Sequence, residues 1–133
     1  MLRRTTISEH DEQVLYFDWL QWVTINGLPL RRYCFAVPNG GHRRSSVAGK
    51  LKAEGVTPGV PDVFIRVPSG TWHGMQIEAK RMGGKPTGMQ LDQIEACREM
   101  QYWAVVAEGF DEMRRSTVQY LTQSWRVLDR WHG

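Results

Sequence analysis

The chain has 133 residues, 41% apolar and 23% charged, with a formal net charge of +3. That balance suits one soluble globular domain over residues 1–133 and argues against disordered, fibrous or membrane-spanning classes. Two cysteines, Cys34 and Cys97, form neither a close pair nor a ligand cluster, so a disulfide framework and a zinc cage are not expected.

Residues 1–8 are a polar, basic lead-in. Ser8 is placed to cap a helix from Glu9 to about Thr24, whose many apolar positions suggest cover on more than one side. Asn26-Gly27-Leu28-Pro29 ends it. A first strand is expected over Arg32 to Val37, then a turn at Pro38-Asn39-Gly40-Gly41. A basic segment follows, with His42, Arg43, Arg44, Lys50 and Lys52, and a short helix from Ser46 to Glu54. The second strand runs from about Pro61 to Val67 and turns at Pro68-Ser69-Gly70 into a third, Trp72 to Lys80. Arg81 to Gly88 reads as a flexible basic loop. Thr87 and Gln90 have capping-box spacing for a helix to Gln101. Tyr102 to Ala107 is nearly continuously apolar, so a central strand is expected. A last helix covers about Asp111 to Leu121, and residues 122–133 form a Trp-containing tail. This order predicts an α/β fold, a small mixed sheet flanked by helices.

Chemistry concentrates on the third strand. Residues two apart on a strand share a face, so Glu78 and Lys80 project together while Met75, Ile77 and Ala79 face away. The turn at 68–70 folds Asp62 back toward Glu78. Two carboxylates and the Ala79 carbonyl make a hard-oxygen set suited to Mg²⁺ or Mn²⁺. Taken alone, such a set is also what ordinary charges at a strand end look like. No Gly-rich phosphate loop and no G-x-S-x-G element is present.

Five short motifs occur in a particular order: E-x-x-x-Q at Glu9 to Gln13, PNGG at Pro38 to Gly41 with Arg43, GVPD at Gly59 to Asp62, IEAKR at Ile77 to Arg81, and a downstream Gln90 before the Tyr102 strand. In these the chain resembles the VRR-NUC family, the virus-type replication and repair nuclease domain of the wider PD-(D/E)xK nucleases. The likeness spans roughly residues 9–121 and is nearest the small stand-alone phage and prophage members. It implies a restriction-endonuclease-like core and a divalent-metal-dependent nuclease acting on DNA, with branched or junction DNA as a substrate class in replication, repair or recombination. It also implies Mg²⁺ or Mn²⁺ held by Asp62, Glu78 and the Ala79 carbonyl. Lys80 matches the catalytic lysine, and Gln90 a glutamine near the site, although Gln90 also fits a purely capping role. A glutamate from the first helix completes the set. Glu9 fits E-x-x-x-Q and is favoured, with Glu12 as the alternative.

Nucleic-acid contacts are expected from Asn39, Gly41, Arg43, Arg44, Lys50, Lys52, Arg81 and Lys85, because backbone phosphates are met by positive charge and close-approaching backbone. A homodimer would present two sites to a duplex or junction. No apolar segment is long enough to span a membrane, and no signal peptide opens the chain. A cytoplasmic location in a bacterial or phage-infected cell is therefore expected. The competing readings are a nucleic-acid-binding module without catalysis and a sequence-specific restriction-type endonuclease.

Overall fold

The computed structural model describes residues 7–38 and 45–123. Helix α1 spans Glu9–Leu20, and the Ser8 hydroxyl accepts the Asp11 N–H at 3.1 Å as its N-cap. The helix ends four residues before the expected Thr24. Thr24–Ile25 (β1) and Leu28–Pro29 (β2) instead pair as a two-stranded hairpin. Asn26 and Gly27 both take positive φ, 53° and 80°, which an Asn-Gly turn tolerates and a helix end did not require. The predicted breaker is thus a hairpin turn.

A 3-10 helix, Leu30–Tyr33, leads into β3 (Cys34–Ala36). Helix α2 is Ser45–Ala53, β4 is Val63–Ile65, β5 is Met75–Lys80 and α3 is Gly88–Glu99. Strand β6 (Trp103–Glu108) and helix α4 (Gly109–Thr122) complete the described chain. Strands β3 to β6 form one mixed sheet in sequence order. The β3–β4 and β4–β5 pairs are antiparallel, whereas β5 and β6 are parallel with α3 as their crossover. The α/β prediction holds. The expectation of a central Tyr102 strand does not, since β6 lies at the sheet's edge. Its apolar character comes from α3 and α4, which both pack on it.

Alternation along β5 separates two faces. Met75, Ile77 and Ala79 enter a core with Tyr16 and Leu20 of α1 and Met113, Tyr120 and Leu121 of α4. The Tyr16 and Thr117 hydroxyls meet at 2.7 Å inside it, so α1 and α4 are joined by a buried polar contact as well as by packing. Burial drives the Tyr16 phenol above its ordinary pKa. Gln76, Glu78 and Lys80 take the opposite face, where Gln76 accepts from the Cys97 thiol of α3. Helix α1 is covered on one side rather than several: Glu12, Tyr16 and Leu20 are buried, but Val14 and Leu15 are exposed, as is Trp22 just beyond its end. No described helix is long and apolar enough to cross a membrane.

Candidate active site

Glu78 and Lys80 stand near the C-terminal end of β5 and are 2% and 8% exposed. They are therefore not ordinary surface charges. Burying ionised groups is costly unless opposite charge or hydrogen bonds compensate. The loop before β4 brings a second carboxylate beside them. Asp62 Oδ2 accepts the Ala79 N–H at 2.9 Å, which draws the carboxylate across to β5 and beside Glu78. The Asp62 carbonyl accepts the Val37 N–H at 2.7 Å, so its backbone is fixed from the β3 side too. Within a strand the N–H and C=O of one residue point the same way. The Ala79 carbonyl consequently faces the Asp62 side.

Gly59 sets the path of this loop. It has φ +86°, and a Cβ there would lie 2.7 Å from the Met89 carbonyl oxygen at the start of α3. Any side chain would push the loop off α3 and Asp62 with it. Gly59→Ala is expected to lose about 2 kcal/mol or more of stability in chemical denaturation.

The electrostatics show how tightly the groups converge. The Glu78 carboxyl is pushed up to about 9, first by burial, then by the hydrogen bond and negative charge of Asp62 and by the charge of Glu9, with Lys80 pulling the other way. Without a cation, Glu78 thus holds its proton at neutral pH, next to the Asp62 carboxylate. Among the described residues no three His, Cys, Asp or Glu side chains form a ready metal cage. The donor set nevertheless fits a hard divalent cation, which would replace that proton and relieve the repulsion between Asp62 and Glu78.

The two glutamates of α1 serve different ends. Glu9 raises the Glu78 pKa and is therefore within electrostatic reach of the site. Glu12 is 1% exposed and accepts the Phe110 N–H at the start of α4. A helix N-terminus is a favourable place for a carboxylate. Gly109, φ +82°, makes room for it, since a Cβ there would lie 2.5 Å from Glu12 Oε2. Glu12 is committed to anchoring α1 on α4.

Gln90 completes the capping box of α3. Its Oε1 accepts the Thr87 N–H at 2.8 Å, and Thr87 Oγ1 accepts the Gln90 N–H at 3.2 Å. Its side-chain oxygen is therefore engaged in the helix cap. Arg81, Lys85, Lys50 and Lys52 are all exposed. The segment after Lys80 is held rather than free: the Gly83 N–H donates to Glu108 Oε1 at 2.9 Å and the Gly84 N–H to the Arg81 carbonyl at 2.8 Å. Asn39, Gly41, Arg43 and Arg44 lie outside the described residues. Sequence reasoning missed the anchoring role of Glu12 and the steric role of Gly59. The lone acid at an otherwise inward-facing helix position and the glycine three residues before Asp62 were the available signals.

No family profile matches the chain, and no curated protein does either. A solved structure described as a "VRR_NUC domain protein" superposes with a TM-score of 0.78 at 30% sequence identity, over 89% of this chain and 91% of that one. The chain belongs to the VRR-NUC family. The mixed sheet and its flanking helices are accordingly those of a VRR-NUC nuclease-type domain, and the carboxylates meet at the end of its central β5.

Proposed function

We propose that this VRR-NUC protein is a divalent-metal-dependent nuclease that hydrolyses DNA phosphodiester bonds. The observation that carries the reading is the convergence of Asp62 and Glu78, with Lys80 beside them, in a buried strand end whose charge calls for a cation. Asp62, Glu78 and the Ala79 carbonyl would hold Mg²⁺ or Mn²⁺, and Glu9 would add negative charge from α1. A bound cation supplies Lewis-acid polarisation of the phosphate and a more acidic attacking water. Lys80 brings a positive charge to the same face as Glu78. It orients the water and stabilises the negative charge that builds on phosphorus. The exposed Lys50, Lys52, Arg81 and Lys85 bind backbone phosphates without reading bases.

The test is incubation with supercoiled, linear, single-stranded, flap and four-way-junction DNA in Mg²⁺, Mn²⁺ or EDTA. Cleavage is expected with either metal and none with EDTA. Folded protein that cuts none of these substrates, or cuts them equally well in EDTA, overturns the reading. Products with one fixed cut sequence would reassign it as a restriction-type enzyme.

A further inference from the structure

The sheet face that carries the carboxylates continues into an aromatic row. Phe35 on β3 lies opposite Phe64 on β4, which lies opposite Gln76 on β5. Asp62, two residues before Phe64, and Glu78, two residues after Gln76, lie toward the same end of this antiparallel pair, about 7 Å away at the rise of a strand. The Phe35 and Phe64 rings stack with centroids 5.4 Å apart and planes 18° apart. On the side of the row away from the carboxylates, the Arg66 guanidinium sits 4.8 Å over the Phe35 ring. Phe35 is 37% exposed, and Arg66 is exposed as well. Among the described residues no helix lies broadly across β3.

A partly exposed aromatic ring on a sheet face, beside a guanidinium, suits a flat partner with an attached anion. The order along the face is carboxylates, rings, guanidinium. A nucleotide has matching parts: a phosphate, a base, and the next phosphate. Bases inside a duplex are already stacked and paired, whereas an unpaired base can lie on a protein ring. We propose that Phe35, backed by Phe64 and flanked by Arg66, is a stacking platform for one unpaired nucleotide beside the scissile phosphate. The substrate class is then DNA with single-stranded character at the cut. The orientation toward a scissile phosphate rests on the nuclease reading above, but stacking itself does not.

The experiment measures binding in EDTA, where cleavage is not expected, using fluorescein-labelled single-stranded DNA and the matching blunt duplex. Phe35→Ala is expected to weaken single-strand binding by about ten-fold, the order of one lost base–aromatic stack. Duplex binding should change by less than about two-fold, and Phe35→Trp should restore single-strand binding. Melting curves of both variants establish that they are folded; because Phe35 is exposed, both should melt close to wild type. An equal loss on duplex, no loss on single strands, or failure of Phe35→Trp to restore binding overturns the platform. No change on any DNA would leave the ring as a surface for another partner, and also overturns it. Cleavage assays on the same preparations separate the two claims. Stacking without metal-dependent cleavage sinks only the nuclease reading, and cleavage with an indifferent Phe35→Ala sinks only the platform.

Discussion

Lys80→Ala is expected to lower the DNA cleavage rate by roughly 10²–10³-fold, the usual effect of removing one group that stabilises transition-state charge. Metal binding should persist in this variant, because Lys80 donates no oxygen to the site. Asp62→Asn should fail differently. The asparagine keeps a side-chain oxygen able to accept the Ala79 N–H, so the loop geometry survives. What is lost is the negative charge, and with it metal affinity as well as turnover. Cleavage rate against metal concentration separates the two: a lower plateau at an unchanged half-saturating concentration for Lys80→Ala, and a rightward shift for Asp62→Asn. If both variants cut DNA at the wild-type rate, these residues are not the active site.

Asp62, Glu78 and Lys80 were legible in the sequence because strand alternation and one turn suffice to bring them to one face. The burial of Glu78 and Lys80 was not legible. It depends on β6 pairing in parallel beside β5, a long-range event. The choice between Glu9 and Glu12 was open for a similar reason. Both lie at the start of α1, and only the position of α4 shows that Glu12 is buried and taken by the Phe110 N–H. The β1–β2 hairpin was missed because Asn-Gly after an apolar run reads equally as a helix stop and as a hairpin turn. The edge position of β6 was missed because apolar continuity reports burial on both faces, which two helices provide as well as a neighbouring strand does.

The metal-free protein is expected to become less stable as pH rises from about 5 to about 9, the reverse of the usual carboxylate behaviour. The sign follows from Glu78. Its ordinary value is 4.5, and in the folded chain it is pushed up to about 9, chiefly by burial and by Asp62. Between those values the folded state holds a proton that the unfolded state has released, so each step up in pH favours unfolding. Below the lower value both states are protonated and the penalty is absent; above the upper one it is fully present. A cation at Asp62 and Glu78 takes the proton's place. Mg²⁺ or Mn²⁺ should therefore raise the melting temperature more at pH 8 than at pH 6, by several degrees, and binding should release close to one proton. Glu78→Gln carries no titrating group there, so its metal-free melting temperature should vary much less with pH and exceed the wild-type value near pH 8. The same substitution should remove most of the response to metal. Melting curves from pH 5 to 9 in EDTA and in Mn²⁺, with proton release followed by an indicator dye, provide the measurement. A metal-free stability that climbs across this window, or a Glu78→Gln profile parallel to wild type, would show that Glu78 does not keep its proton in the folded chain and that the charge balance at the end of β5 does not call for a cation.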